Sequence, residues 1–496
     1  MNKPVTYLLL IFAALCGRKT HAACSPAIDS TSISLTEVIS RARLQSVEAA
    51  VAINKMRTAY WVYRTYKADL LPECSLKGTL PSYQKQYNAY QQDNGNYTYV
   101  RSNSLGLNSA LSMTQKIWFS GGTLSLKSSL DYIKQMGAEG QENYMSVPIS
   151  LTLSQPIFGI NDVKWQRKIE PVKYREAKAQ FISDTEEVAV SAVQQFFNLL
   201  LSEENVHIAE QNLRNAKKLY DVAIARKHIG QISTNDLLQL KLSTINATSH
   251  LTSMQSEHKS ALFKLRSFLN ITDSTELKPI LPKEAPNLVL HFDEVLARAK
   301  SANAFAENIR KRQLEADYKV AQAKGSMRDI NLFASIGYTG HTQDFDRAYT
   351  GLKKNQIFEI GVSIPLLDWG KRKGKVRVAQ GNQKIVASQL KQERQEFEQN
   401  VFLLVQQFNN QSEQLYLAMQ ADSIAHQRYQ TSVQTFLAGK INTLDLNDAQ
   451  TSKDEARQKH INELYKYWYY YYELRSLTLW DYHNNCEITV PLNFEK

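Results

Sequence analysis

The stretch Phe358-Glu359-Ile360-Gly361-Val362-Ser363-Ile364-Pro365-Leu366 alternates apolar with small or polar residues, the pattern of a strand with one apolar face. A basic junction follows, Gly370-Lys371-Arg372-Lys373-Gly374-Lys375. Beyond it the chain reads as helix, with no proline and a single glycine, Gly381, before Gly439. About 65 helical residues at 1.5 Å each would span on the order of 100 Å. Gly439-Lys440-Ile441-Asn442-Thr443-Leu444-Asp445-Leu446-Asn447-Asp448 then turns the chain into another long helical pattern. A membrane-type strand feeding a helix of that length, which then folds back, is rare in soluble domains.

The same unit occurs earlier. An offset of 209 residues relates Pro156 to Pro365, Tyr220 to Tyr429, Gly230 to Gly439, Asp236 to Asp445 and Ala247 to Ala456. One offset that holds from strand to tip and down the return helix marks an internal duplication. This repeat of strand, long helix, Gly-containing turn and return helix resembles the TolC-like outer-membrane efflux proteins. The residues that carry the resemblance are Gln155-Pro156-Ile157-Phe158, Ile364-Pro365-Leu366-Leu367-Asp368-Trp369-Gly370, Gly230-Gln231-Ile232-Ser233-Thr234-Asn235-Asp236 and Gly439 through Gln450. The resemblance covers nearly all of the chain beyond its leader.

The resemblance implies a mainly α fold with a β-barrel part. A homotrimer would share one transmembrane β-barrel in the outer membrane of a Gram-negative bacterium. Below it would hang a long α-helical periplasmic coiled-coil tunnel. The expected function is an exit duct for small molecules or proteins, without a cofactor. An inner-membrane transporter would drive it through a periplasmic adaptor. The competing reading is a periplasmic coiled-coil scaffold or surface adhesin with no pore.

The composition fits. Glycine (19) and proline (12) are scarce for 496 residues, which suits long helices. At 43% hydrophobic and 22% charged, the chain is not of the disordered class. The net charge of +11 falls to +8 when Lys3, Arg18 and Lys19 of the leader are set aside. No aromatic-plus-basic binding motif accompanies that excess, so no nucleic-acid partner is expected.

Residues 1–23 read as a secretory signal: Lys3, then the apolar run Tyr7 to Leu15, then a small-residue site at Thr20-His21-Ala22 or Ala23. No other segment has the ~20 uninterrupted apolar residues of a membrane helix, so a membrane role requires a barrel. Cys24, Cys74 and Cys486 follow the leader, an odd number that excludes a full disulfide framework. Cys24 could bond Cys486 and tie the ends, or be acylated, although His21-Ala22-Ala23 is a poor lipoprotein signal.

The expected layout is a first repeat over 24–278, a Pro-rich linker over 279–291 and a second repeat over 292–496. The β segments fall at 72–160 and 328–370, and the helical hairpins at 164–270 and 371–483. Leu35 to Leu71 reads as one helix capped by Thr36 and ended by Pro72. Alternation continues through Leu105–Met113, Leu124–Tyr132 and Val147–Leu153, as a barrel with a lipid face and a wet lumen requires. A soluble sheet with one solvated face has the same pattern. The opening helices are offset by 257 and the later strands by 209, so the first copy holds a 48-residue insertion. The hairpin at 105–132 is assigned to it, in the barrel wall or above it.

Both long helices carry seams with alternating steps of three and four. One runs Leu199, Ser202, Val206, Ala209, Leu213, Ala216, Tyr220, Ala223, and its return helix carries His258 as a core residue. The other includes Leu404, Phe408, Gln411, Leu415, Ala418 and Asp422, and its polar members predict a looser seam. Tyr465 to Tyr472 holds seven aromatics in eight residues. Trp468 lies about 25 residues from the tip, roughly 38 Å, so the run belongs to mid-tunnel packing and not to a membrane belt.

No catalytic constellation is present: there is no CxxC or HExxH, and Gly370–Lys375 lacks P-loop spacing. Three sets of residues carry functional expectations. Basic junctions at Lys164, Arg167, Lys168 and at Lys371, Arg372, Lys373 oppose the helix dipole and call for anions such as headgroups at the inner membrane rim. An ordinary solvated charge run is the alternative. The tips Gly230, Gln231, Ile232 and Gly439, Lys440, Ile441 are the expected adaptor-docking surface. Asp445 and Asp448, with Asp236 as the first-copy match, align with the aspartates of the family's closed periplasmic aperture; helix-start acids favoured by the dipole are the alternative. Ile441 stands where the family has a gating arginine, with Lys440 adjacent.

Overall fold

The computed structural model describes residues 32–93, 95–136, 140–157, 159–230, 232–271, 277–282, 288–327, 329–363, 367–438, 440–441 and 443–489. The expected leader, Cys24, Phe158, Gln231, Pro365 and Gly439 therefore lie outside the described residues, as do 283–287 of the linker.

Strand β1 (Ser32–Ile33) precedes helices α1 (Leu35–Gln45) and α2 (Val47–Ala68). Strands β2 (Glu73–Gln91), β3 (Tyr97–Lys116), β4 (Thr123–Gln135) and β5 (Glu142–Pro156) lead to helices α3 (Asp162–His228) and α4 (Thr234–Phe268). After β6 (Lys278–Pro279) come α5 (Phe292–Ala302), α6 (Ala304–Gly325), β7 (Asp329–Thr342), β8 (Lys353–Ser363), α7 (Lys371–Leu437) and α8 (Thr443–Thr478). Two short strands, β9 (Trp480–Asp481) and β10 (Cys486–Glu487), close the chain.

The duplication is visible in the lengths. Helices α3 and α7 both have 67 residues, and the opening pairs both have 11 and 22. The single helix expected over Leu35–Leu71 is in fact this pair. Ser46 adopts an extended backbone and its side chain accepts the Ala49 amide, which ends α1 and caps α2. Asn303 does the same for α6, 257 residues later, accepting the Phe305 amide. The cap of α1 is Ser34, whose hydroxyl accepts from the Glu37 amide at 3.3 Å, and not Thr36.

The chain divides into two units. The first takes the described residues up to Ser40 together with Gln195–Lys283. In it β1 pairs parallel with β6, and the end of α3 packs on α4. The expected seam is in place: Leu199, Ala209, Ala216 and Ala223 are buried, and Ser202 Oγ meets His258 Nδ1 at 3.3 Å. His258 is thus a satisfied core histidine.

The second unit holds Arg41–Gln194 and Glu284–Lys496. Its sheet has six antiparallel strands in the order β2-β3-β4-β5-β7-β8. The first copy supplies four and the second two. The hairpin at 105–132 lies within this sheet, since β3 and β4 stand between β2 and β5. The seam of α7 on α8 is as regular as the first, with Leu404, Phe408, Gln411 and Ala418 buried. Its polar members do not loosen it. Gln411 donates to Glu463 O at 3.0 Å and Oε2 at 2.6 Å, and Asp422 pairs with Arg457 at 3.2 Å and His460 at 3.0 Å. Satisfied buried polar groups hold one register, since any slip would leave them unpaired.

The aromatic run is core. Tyr467 and Tyr471 are 1% and 3% exposed, and burial pushes both hydroxyls well above their usual range. Beside them lies a buried charge network. Glu186, 1% exposed, takes Arg43 at 2.5 Å and Arg475 at 2.9 Å, and Arg475 also reaches Asp481 at 2.6 Å.

Candidate channel wall, rim and tips

The six-stranded sheet has two chemically distinct faces. Cross-strand register places Leu76, Leu111 and Met113, Leu124 and Leu126, Leu151 and Leu153, Ala334 and Ile336, and Phe358 and Ile360 on one face. This apolar row runs through every strand, and its members are mostly exposed in the single chain: Leu76 by 74%, Phe358 by 72%. An apolar band of that extent does not stay in water. The opposite face carries a hydroxyl and amide ladder: Ser75 with Ser112 at 2.9 Å, Thr114 with Ser125 at 3.4 Å, Asn108 with Asp131, and Ser150 and Thr152 with Ser335 at 3.3 and 3.1 Å. Along β4 the band runs from Leu124 to Tyr132. Eight steps are about 27 Å of strand, or about 20 Å of height at a barrel tilt near 40°.

Aromatic and basic residues gather where the strands meet the long helices. Trp118 and Phe119 in the β3–β4 turn are 55% and 70% exposed, and Trp369 before α7 is 90% exposed. The Arg167 guanidinium lies 4.3 Å from the Trp118 ring centre, and the Lys168 ammonium 5.2 Å from that of Trp165. Lys164, Arg167 and Lys168 occupy the first two turns of α3, and Lys371, Arg372 and Lys373 the first turn of α7. Cation–π contacts of this kind suit a site that is half apolar and half wet.

Sequence reasoning missed how these helix starts are capped. The Asn161 side chain accepts the Lys164 amide at 2.9 Å. Asp368 accepts the amides of Gly370 at 3.0 Å and Arg372 at 3.1 Å. Those two backbone bonds hold the Asp368 carboxyl below its usual range. Asp368 was legible as an acid two residues before a glycine and a helical run. Arg372 also donates to Met327 O at 2.7 Å.

At the tips, Gly230 sits at φ +73° with open space around it. Ile232 is half-buried, as is Ile441, and Lys440 is exposed. Asp236 completes a capping box: Ser233 Oγ accepts its amide at 3.1 Å while its carboxylate accepts the Ser233 amide at 3.2 Å and hydroxyl at 2.7 Å. The hydroxyl, then the amide, lower its pKa. Asp445 lies in the first turn of α8, and Asp448 one turn on. Asp448 Oδ2 takes Arg428 Nη2 of α7 at 2.5 Å. Arg428 was not singled out from the sequence; it lies eleven residues before Gly439, next to the seam residue Tyr429.

No helix among the described residues is long and apolar enough to cross a membrane, and no cluster of three metal-ligating side chains occurs among them. The sequence model of the outer membrane efflux protein family matches residues 116–270 and 294–478. The chain belongs to the outer membrane efflux protein family. No curated protein matches it by sequence. Among solved structures it is similar to the Campylobacter jejuni CmeC outer membrane channel, at TM-score 0.64 and 14% identity over 92% of this chain and 87% of that one. It is similar to the outer membrane protein VceC of Vibrio cholerae, at 0.60 and 13% over 90% and 95%. It is also similar to CusC, at 0.62 and 16% over 90% and 91%. At these identities the likeness is one of fold. As an outer membrane efflux protein the chain has a place in the outer membrane and a part in efflux, and its fold is that of channel proteins.

Proposed function

We propose that the chain forms a homotrimeric duct. The observation that carries this is the sheet: six strands, apolar throughout on one face, hydroxyl-lined on the other, with β2 and β8 each paired on one side only among the described residues. Six strands are too few to close a barrel, whose minimum is about eight. Strand β2 leaves the helical side and β8 returns to it, so β8 of one chain can pair antiparallel with β2 of the next. Three copies would close eighteen strands around a hydroxyl-lined lumen. The barrel would lie in outer-membrane lipid, with the Trp118–Arg167 rim and the basic residues Lys164, Lys168, Lys371, Arg372 and Lys373 at headgroup level.

In this reading the helical hairpins extend into the periplasm. The tips Gly230–Ile232 and Gly439–Ile441 dock a periplasmic adaptor, which couples the duct to an inner-membrane transporter. Asp445 and Asp448 line the aperture, and the Arg428–Asp448 pair ties the two helices of that hairpin near its tip. Small molecules or proteins pass outward. Native mass and single-channel recording of detergent-extracted protein test the reading together. A trimer that conducts is the expected result. A stable non-conducting assembly would point to a scaffold or adhesin and overturn it.

A further inference from the structure

Strands β2 and β3 outrun their neighbours. The β3–β4 ladder ends at Ser104 opposite Gln135, whereas β2 and β3 stay paired as far as Gln91 opposite Tyr97. A two-stranded ribbon thus extends about 24 Å along the strand beyond the sheet, seven residues at ~3.4 Å each. Its outward face is of one kind. Tyr83, Tyr87, Tyr97 and Tyr99 are 58%, 67%, 65% and 72% exposed. Tyr83 pairs with Leu105, Lys85 with Asn103, Tyr87 with Arg101 and Ala89 with Tyr99, so all of these positions share the face of Leu111 and Met113.

This arrangement depends on a bulge. Between Thr79 and Ser82 the register slips, so that Leu80 and Pro81 together oppose Leu107. The slip changes the parity of β2: Leu76 below it and Tyr83, Lys85 and Tyr87 above it face the same way. Without the extra residue Gln84 and Gln86 would take that face. Above Leu105 the face bears no leucine, isoleucine, phenylalanine or methionine, and only tyrosine, cation and small or amide residues remain.

Resting on the duct reading, we infer that this tyrosine-and-cation face is a binding surface for the phosphorylated saccharide headgroup of the outer-leaflet glycolipid. It continues the lipid-facing band upward, past the level of Tyr132 and its neighbour Tyr144, whose ring centres are 4.9 Å apart. Directly above acyl chains comes the headgroup layer. Tyrosine suits it, because its ring offers an apolar face to sugar C–H groups and its hydroxyl a hydrogen bond. The exposed Lys85 supplies positive charge of the kind that sugar phosphates require, and the one acid of the ribbon, Asp93, lies in its turn.

The test compares the full-length protein with the variant Lys85→Ser/Tyr87→Ser/Tyr97→Ser/Tyr99→Ser. Both are titrated in phosphatidylglycerol nanodiscs with rough lipopolysaccharide of phosphorylated core, and with the same material after dephosphorylation. The wild type should bind the phosphorylated form at least about tenfold more tightly than the variant does, and dephosphorylation should remove that difference. Equal binding by both proteins, or binding indifferent to phosphate, overturns the inference, and so does binding by the wild type no stronger than the phosphatidylglycerol background. Conductance is recorded on the same preparations. Two conducting proteins with equal lipopolysaccharide binding sink the ribbon and spare the duct, and two non-conducting proteins that differ in binding do the reverse.

Discussion

Replacing Arg475 with methionine should destabilise the helical part by about 3 kcal/mol. The arginine joins two buried carboxylates, Glu186 through Nε at 2.9 Å and Asp481 through Nη1 at 2.6 Å. Methionine keeps most of the stem, so charge is lost rather than packing. Breaking a buried pair by removing one partner costs about 3–5 kcal/mol. The lower end applies because Arg43 still reaches Glu186, and Asp481 keeps the Tyr471 hydroxyl at 2.9 Å and the Asn484 amide at 3.1 Å.

The pH profile adds a second reading. Burial pushes the Asp481 carboxyl up, but the Asn484 amide, the Tyr471 hydroxyl and Arg475 outweigh it and hold it at about 2, below the ordinary 3.8. A depressed carboxylate contributes stability above its unfolded pKa and loses it as pH falls through the folded one. The drop from 3.8 to about 2 corresponds to about 2.5 kcal/mol, present near pH 5 and gone near pH 1.5. The variant should begin losing this contribution at a higher pH. Urea titrations at pH 7 and pH 3, read by the near-ultraviolet signal of Tyr467–Tyr472, measure both effects. The double variant Glu186→Leu/Arg475→Met should lose less than the sum of the two single variants, because both break the same Glu186–Arg475 pair. An unchanged midpoint in Arg475→Met, or a double variant as damaged as the sum of the singles, refutes the reasoning.

Four other outcomes are expected. Leu126→Lys should cost about 2–4 kcal/mol and block insertion into vesicles, whereas Ser125→Lys on the opposite face should insert normally; equal insertion would reverse the face assignment. Gly230→Val should strain the tip by about 1–2 kcal/mol, because φ there is +73°, and should abolish adaptor cross-linking and efflux while barrel assembly persists; normal cross-linking would remove the tip from the docking surface. Asp445→Asn/Asp448→Asn should lower cation selectivity and relieve block by periplasmic trivalent cations in planar bilayers, with trimer stability changed by less than about 1 kcal/mol. Ser233→Ala should lose a helix cap of about 1 kcal/mol and let the Asp236 carboxyl rise toward its usual range, which a pH titration of tip proteolysis would register.

Much of the fold was legible because two kinds of periodicity carry it. The 209-residue offset places both hairpins, and the three–four seam steps name buried residues such as Ala209 and Phe408 correctly. What was not legible depends on pairing across distance. Nothing local shows that Asp448 reaches Arg428, or that Gln411 and Asp422 find partners on the return helix and so tighten a seam whose composition looks loose. The break at Ser46 was missed because no glycine or proline marks it between Leu35 and Leu71, while a single side chain decides where the backbone turns. The place of the 105–132 hairpin was open for the same reason: alternation marks a strand but does not name its neighbours, and only register places β3 and β4 between β2 and β5.

The open edges of the sheet have a consequence for genetics. A lone chain exposes one face of lipid-seeking side chains and, among the described residues, two sheet edges along β2 and β8 that no strand covers, so it has no comfortable resting state in water or in lipid. In the proposed trimer, insertion and assembly would then be one event, in which each chain completes two others. A variant damaged only along β8 could still lend its β2 edge to a healthy neighbour and enter the ring. Expressed beside the normal allele, it would spoil most assemblies it joined, so such mutations should be dominant where simple loss of the protein is recessive.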